Sequence, residues 1–172
     1  MNDFKKVCIS AYACSPYQGS EAGVAWGVIF ELSKYYRIWA FVEKQKFEAD
    51  INHYLEENPE FRERVTFVFV AKKRMKLLRK IWPPSYYFFY KKWQKDVFKL
   101  ASKIHKEVNF DIAHHLTMGG FREPGYLFNL PIPFVWGPTG GMGFFPWKFL
   151  PKLNYHGWIY YTGYNIMNFM DM

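Results

Sequence analysis

Short apolar segments rich in β-branched and aromatic residues alternate along the chain with longer segments of helical periodicity. The segments VCISAYA, IWAFVE, VTFVFV, FDIAHHL and PIPFVWG predict strands over residues 7–13, 38–43, 65–70, 110–116 and 131–137. Helices are predicted at 20–36, 45–58, 85–108 and 155–170. Strands and helices that alternate at this spacing build βαβ units, so we expect an α/β fold with a doubly wound, parallel, Rossmann-like sheet.

Two of these helices carry specific expectations about their ends and buried positions. Ser20 is the predicted N-cap of the first helix, because its hydroxyl can accept a hydrogen bond from a first-turn amide. The apolar positions of that helix are Val24, Val28, Phe30 and Leu32. In the helix over 85–108, the candidates for burial are Phe88, Trp93, Val97, Leu100 and Ile104.

Length and cysteine usage limit the class of protein. A chain of 172 residues is typical of one domain with a sizeable core. No apolar run reaches the roughly 18 residues of a spanning helix, and the N-terminus lacks a signal-peptide core. Cys8 and Cys14 lie too far apart along an extended strand to form a disulfide. We therefore expect a reduced, cytoplasmic location.

The net charge of +8 is concentrated in one part of the chain. Residues 72–103 contain eleven Lys or Arg and one acid, whereas the remainder holds twelve bases and fourteen acids. The stretch KKRMKLLRKIWPPSYYFFYKKW mixes these cations with aromatic residues, which is typical of a surface that meets anionic lipid headgroups. The predicted membrane contacts, and hence a peripheral position at the inner face of the membrane, rest on Lys72, Lys73, Arg74, Lys76, Arg79, Lys80 and Trp82.

Two other interpretations of this basic stretch remain open. A solvated helix face with a buried aromatic side has the same composition. Basic patches with aromatic residues also bind single-stranded nucleic acid, but that function would leave the glycine-containing strand-end loops without a role. We therefore do not expect nucleic acid to be a partner.

Ligands of doubly wound sheets bind beyond the carboxyl ends of the strands, so the loops there are the candidate site. The first loop contains neither GxGxxG nor Gly-Lys-Ser/Thr, which argues against a dinucleotide dehydrogenase and a P-loop enzyme. Its functional candidates are Gly19, Ser20 and Glu21, at a helix N-terminus suited to a phosphate or carboxylate. Gly23 and Gly27 are expected only to let the helix approach the sheet.

The second loop follows two adjacent histidines, His114 and His115. Alternation along a strand points them to opposite faces, so one of them is expected to face the ligand. Gly119 and Arg122 are candidates to hold a polar ligand, although an exposed turn would have the same composition. No third ligand lies at metal-binding spacing, so we expect no metal site.

The third loop, WGPTGGMG, supplies Gly140 and Gly141. Backbone amides at such glycines can approach a ligand closely, because no side chain intervenes. A flexible connector is the alternative interpretation of these residues.

Together, three segments resemble the N-terminal half of the family 4 glycosyltransferases, which are retaining enzymes built from two facing Rossmann-like domains. The resemblance is carried by AYACSPYQGSEAGVAWG, HHLTMGGFREPG and PFVWGPTGGMG, in that order, and it spans residues 7–143. It implies that residues 1–172 form the acceptor-side domain. It further implies that Gly19, Ser20, Glu21, Thr117, Gly119, Arg122, Gly140 and Gly141 bind substrate and that His114 or His115 is catalytic.

Members of that family have a second domain that binds the nucleotide-sugar, and we expect the 172 residues by themselves to lack it and to be inactive. The implied partners are a nucleotide-sugar donor, acting as co-substrate without a further cofactor, and a glycan or lipid-linked acceptor. The alternative is a non-catalytic glycan- or membrane-binding module derived from such an enzyme.

Overall fold

The computed structural model describes residues 4–72, 85–141 and 143–170. The chain divides into two compact units, a larger one ending at Pro138 and a smaller one beginning at Thr139. Each unit is described by itself below. The larger unit contains the sheet, and the smaller unit contains the terminal helix.

The larger unit is built on a five-stranded, all-parallel sheet with strand order β3-β2-β1-β4-β5. The strands are β1 (Lys6–Ser10), β2 (Arg37–Glu43), β3 (Val65–Val70), β4 (Ile112–His115) and β5 (Phe134–Trp136). Every residue of β1 after Lys6 is buried, as expected for a central parallel strand covered on both faces. The α/β, doubly wound, Rossmann-like fold predicted from the sequence is confirmed.

Among the described residues, three helices connect the strands of this sheet. They are α1 (Ser20–Ser33), α2 (Lys44–Glu57) and α3 (Ser85–Val108), and short 3-10 helices occupy Pro59–Glu63 and Leu127–Asn129. The chain passes from β3 through α3 to β4, which lies on the other side of β1. This crossover places the change of strand order between β1 and β4.

The core is strongly aromatic. Trp93 of α3 is buried, and its indole N–H donates to the Val70 carbonyl at 2.8 Å. Tyr12 packs edge-on against both Trp93 and Tyr90, with ring centroids 5.0 and 5.2 Å apart. Cys8 and Cys14 are both buried free thiols, and burial raises the pKa of each.

Two local predictions were wrong. Gly19, and not Ser20, is the N-cap of α1. Helix α1 faces the core with Ala22, Ala25, Ile29 and Ser33, which leaves Val24 half exposed. Phe88 is also exposed, whereas Trp93 and Val97 are buried as predicted.

The smaller unit consists of a 3-10 helix over Trp147–Lys152 and the helix α4 (Tyr155–Met170). The side chain of Asn154 accepts a hydrogen bond from the Gly157 amide at 2.8 Å and thereby caps the start of α4. Across the described ranges, no helix combines the length and apolar character needed to cross a membrane.

Candidate functional site

The loops that follow β1 and β4 lie side by side at the carboxyl edge of the sheet. These two strands are hydrogen-bonded neighbours, with Ser10 opposite His115 at their ends. The chain leaves β1 toward β2 on one side and leaves β4 toward β5 on the other. Such a switch point creates the crevice in which open α/β sheets bind ligands.

Glu21 joins the two loops directly. Its carboxylate Oε1 accepts hydrogen bonds from the backbone amides of Met118, at 2.5 Å, and Gly119, at 3.4 Å. A carboxylate that accepts from two amides holds both loops in a defined register. Glu21 therefore lies at the predicted edge of the sheet, but its carboxylate binds backbone amides of the protein. Gly119 lies at the same edge and donates one of these hydrogen bonds.

Backbone strain is concentrated at this junction. Ser20 and Met118 have φ angles of +58° and +65°, in the left-handed region that residues other than glycine rarely adopt. Ser20 directly precedes Glu21, and Met118 supplies one of the amides that donate to the Glu21 carboxylate. Strained residues of this kind cluster at ligand sites, because the surrounding contacts must hold them in place. Gly19 and Ser20 are both exposed, so the start of α1 is open to a ligand.

Thr117 was predicted to bind substrate, and the structure corrects this prediction. Its side chain is buried, and Oγ1 accepts a hydrogen bond from the Ala13 amide at 3.2 Å. The hydroxyl of Tyr90 donates to the Thr117 carbonyl at 3.5 Å. Thr117 thus ties the β1 and β4 loops to each other and to α3, and it presents no surface to a substrate.

His115 is enclosed in the core, with only 1% of its surface exposed. Neither ring nitrogen has a hydrogen-bond partner among the described residues. Burial, and then the neighbouring His114 ring, lower the pKa of His115 to about 4, so the imidazole is neutral at pH 7. The prediction that His115 was a candidate for catalysis is therefore corrected, because a substrate cannot reach it.

A glycine allows the chain to pack against this buried ring. Gly125 has a φ of +70°, and a Cβ atom there would lie 2.8 Å from Nδ1 of His115 and 2.9 Å from Oε1 of Gln94. Both distances are too short for a side chain. The loop after β4 can consequently pack against His115 and Gln94 only because residue 125 is glycine.

His114 is the histidine that remains partly accessible. Its Nε2 lies 2.8 Å from the carbonyl oxygen of Gly137. A carbonyl can only accept, so Nε2 carries the proton and Nδ1 of the neutral ring is an acceptor. Burial lowers the pKa of His114, while the bond to Gly137 acts in the opposite direction. At pH 7 the ring can therefore accept a hydrogen bond or a proton at Nδ1.

Arg122 is exposed, and its guanidinium lies 4.4 Å from the centroid of the Phe121 ring. Gly140 and Gly141 belong to the smaller unit. There the Gly141 carbonyl accepts from the Tyr164 hydroxyl at 2.7 Å. Their convergence with the β1 and β4 loops stays a prediction.

Lys72 was predicted to contact a membrane, and this prediction was wrong. The side chain is only 4% exposed, and Nζ donates to the Tyr12 hydroxyl at 2.9 Å. The ammonium also lies 3.8 Å from the centroid of the Tyr86 ring. Aromatic faces and a hydroxyl stabilise the charge inside the protein. The other predicted contacts, Lys73, Arg74, Lys76, Arg79, Lys80 and Trp82, lie outside the described residues.

A polar network that the sequence did not suggest fixes the first loop. Asp50 of α2 accepts from the Ser15 hydroxyl at 2.5 Å and from the Gln18 side-chain amide at 2.7 Å. Gly23 of α1 also contributes, because a Cβ there would lie 2.8 Å from the Gln18 carbonyl. Gly23 therefore permits close packing against this loop, whereas a Cβ atom added at Gly27 would contact no other element among the described residues. The concentration of polar residues in CSPYQGS was the available signal for this network.

Among the described residues, no group of three or more His, Cys, Asp or Glu side chains lies close enough together to hold a metal ion. Comparisons with models of protein families, with curated proteins and with solved structures found no match to this chain.

Proposed function

We propose that this chain is the acceptor-side domain of a retaining glycosyltransferase, which transfers a sugar from a nucleotide-sugar to a glycan or lipid-linked acceptor. The observation that carries the proposal is the bridge from Glu21 to the amides of Met118 and Gly119. It joins the GSE segment to the HHLTMGG segment at the switch point of a parallel sheet. These are two of the three segments on which the resemblance to family 4 glycosyltransferases depends.

His114 supplies the chemistry expected next to an acceptor or a transferred sugar. Its Nε2–H donates to the Gly137 carbonyl, so Nδ1 can accept a hydrogen bond from a sugar hydroxyl. Burial lowers the pKa of His114, which keeps the ring neutral and able to accept at pH 7. A ring with one nitrogen already bonded is also fixed in orientation, and this favours contacts that strengthen in the transition state.

The start of α1 and Arg122 suit the anionic part of a donor. Departure of a nucleoside diphosphate develops negative charge, which backbone amides and cations stabilise. The N-terminus of α1 at Gly19–Ser20 is exposed and offers first-turn amides, and the exposed Arg122 offers a guanidinium. In the family resembled, a second domain holds the nucleotide, so we expect transfer to require such a domain.

A non-catalytic glycan-binding module is the second candidate. The Glu21 carboxylate is engaged by backbone amides, which favours a structural role that such a module would retain. The two candidates differ in whether sugar is transferred once a nucleotide-sugar domain is present.

The deciding experiment compares the 172-residue chain with a chimera that joins it to the nucleotide-sugar domain of a family 4 enzyme. Transfer of radiolabelled sugar from UDP- and GDP-sugars to lipid-linked glycans is measured for both. We expect transfer by the chimera alone, since one wall of a cleft cannot orient both substrates. Transfer by the isolated chain would contradict the two-domain proposal.

Substitution of His114 tests the proposed role in the same chimera. His114→Ala should lower kcat by about 100-fold or more and change donor affinity little, because the lost contact acts in the transition state. His53→Ala, at an exposed position of α2, is the matched control and should retain activity. Glycan binding by a chimera that never transfers sugar would favour the binding module.

A further inference from the structure

Helix α4 has its polar and apolar faces reversed relative to an ordinary surface helix. Asn165 and Asn168 are buried, although asparagine is mostly an exposed residue. The side chains on the opposite side, which we call the outer face of α4, include large, apolar and exposed residues: Ile159, Ile166, Met167 and Met170. Met170, for example, is 78% exposed.

The buried asparagines hold the helix to its own unit by hydrogen bonds. The Asn165 side chain accepts from the Phe145 amide and donates to the Phe145 carbonyl, both at 2.8 Å. Asn168 Nδ2 donates to the carbonyls of Gly141, at 3.1 Å, and Gly143, at 2.8 Å. Tyr161 stacks on Phe145 with 4.0 Å between ring centroids. These contacts fix the rotation of α4 and therefore keep the apolar side outward.

The outer face forms a continuous apolar surface. Ile159, Ile166 and Met170 are separated by seven and four residues, so they lie one above another on a helix. Met167 lies beside them, whereas Trp158 and Phe169 are exposed on the flank of the helix nearer Asn165. An exposed apolar surface of this kind marks a place where apolar material binds.

The surroundings of the outer face favour lipid as that material. Trp147, Phe149 and Tyr155 are exposed near the start of α4, and Trp and Tyr are the residues enriched at membrane–water interfaces. Residues 139–170 contain Lys148 and Lys152 but no Asp or Glu, the next acid being Asp171. The Lys152 ammonium lies 5.6 Å from the centroid of the Phe149 ring. Cations beside apolar aromatics suit anionic headgroups above an acyl layer.

We propose that the outer face of α4 inserts into one leaflet of an anionic lipid membrane, with the helix axis parallel to the bilayer surface. A helix of 16 residues spans about 24 Å, which is less than the roughly 30 Å of a bilayer core. Lys148 and Lys152 lie at the headgroups, and the asparagine side of the helix faces the protein. This surface is independent of the basic stretch over 72–82 and of the sugar-transfer proposal.

The first test places an environment-sensitive fluorophore on the outer face of the full chain through Ile166→Cys. Labelling is selective, because Cys8 and Cys14 are buried and burial raises the pKa of both thiols. Val24→Cys, at a half-exposed position of α1, is the matched control. Vesicles of phosphatidylcholine with phosphatidylglycerol should shift the emission at position 166 to shorter wavelength and leave that at position 24 unchanged.

The second test measures vesicle co-sedimentation of Ile159→Asn/Ile166→Asn against the control pair Val24→Asn/Tyr35→Asn, since all four positions are exposed. We expect the first pair to bind vesicles at least about tenfold more weakly and the control pair to bind normally. Only the first pair loses apolar surface that would be buried in the lipid. High salt should weaken the binding of the unmodified chain without abolishing it, because salt screens only the lysines.

Three results would overturn the proposal. Undiminished vesicle binding by Ile159→Asn/Ile166→Asn would assign the binding to another part of the chain. A fluorescence shift at position 166 that needs no vesicles and grows with protein concentration would identify a second copy of the chain as the occupant. Absence of a fluorescence shift at position 166 with vesicles would show that lipid does not cover this face. This result does not depend on whether Ile159→Asn/Ile166→Asn folds.

Discussion

Helices α2 and α4 are of similar length but place opposite kinds of side chain toward the protein. In α2, Phe47, Ile51 and Leu55 are buried, and the charged residues at both ends of the helix are exposed: Lys44, Lys46, Glu56 and Glu57. In α4, Asn165 and Asn168 are buried and the apolar residues are exposed. Both helices show helical periodicity, yet only α2 follows the rule that the apolar face packs inward.

The difference shows that periodicity identifies the faces of a helix but does not decide which face meets the protein. For α2 the sheet offers an apolar surface, so burial of its isoleucine and leucine side chains is favourable. For α4 the nearest partner is a loop whose backbone groups at Phe145 and Gly143 need hydrogen bonds. Asparagine satisfies those groups, and an apolar side chain would not.

The largest effect is expected from placing the same polar residue on the apolar face of each helix. Ile51→Asn should destabilise the chain by about 4 kcal/mol, because it creates a cavity and buries an amide without partners. Ile166→Asn should change the free energy of unfolding by less than about 0.5 kcal/mol, because the side chain is exposed. Urea unfolding followed by circular dichroism measures both, and equal losses would remove the contrast between the helices.

The next effect concerns His115, a buried polar side chain of the larger unit that has no hydrogen-bond partner among the described residues. The pKa of His115 is about 4 in the folded chain and about 6.5 in an unfolded one. Between these two pH values the unfolded chain binds more protons than the folded chain. The contribution of neutral His115 to the free energy of unfolding is therefore complete above pH 6.5 and is lost as the pH falls toward 4. We expect His115 to account for a loss of about 3 kcal/mol across that window.

His115→Leu isolates this contribution. At pH 7 the variant should be as stable as the unmodified chain or more so, because it removes two nitrogens without hydrogen-bond partners among the described residues. Its stability should also fall less between pH 6.5 and 4. Unfolding curves at a series of pH values measure the difference, and parallel losses in both proteins would assign the acid sensitivity to other groups.

The smallest effect tests whether a buried polar group with partners behaves differently. Asn165→Leu keeps the approximate shape of the side chain but leaves the N–H and C=O of Phe145 without their partner. We expect a local loss of about 2 kcal/mol. Hydrogen exchange at the Phe145 amide measures it, with Ile166→Leu as the control on the exposed side. Unchanged protection at Phe145 would indicate that the asparagine does not orient α4.

Local patterns in the sequence were sufficient for the architecture. The bounds of β3 and α3 agree with the predicted ranges 65–70 and 85–108, because a continuous apolar run and a long amphipathic segment are both strong local signals. Parallel pairing followed from the alternation of strands with helices. The position of the β1 and β4 loops at one edge of the sheet followed in turn, since all parallel strands end at the same edge, whereas the strand order that makes them neighbours came from the tertiary structure.

The choice between chemically similar residues depended on tertiary structure. Alternation along β4 establishes that His114 and His115 point to opposite faces, but only the packing of Gln94 and Gly125 decides that His115 is the buried one. The same holds for Lys72, whose burial requires three aromatic rings from distant parts of the chain.

The sequence by itself therefore determined the elements, their order along the chain and the edge of the sheet at which the candidate loops lie, because these depend on neighbouring residues and on chain direction. Tertiary structure alone decided which histidine is accessible, that Glu21 bridges two loops, and which face of α4 is exposed. Each of those outcomes depends on contacts between residues far apart in the sequence, such as Glu21 with Met118. A local pattern carries no information about which distant surface a side chain will meet.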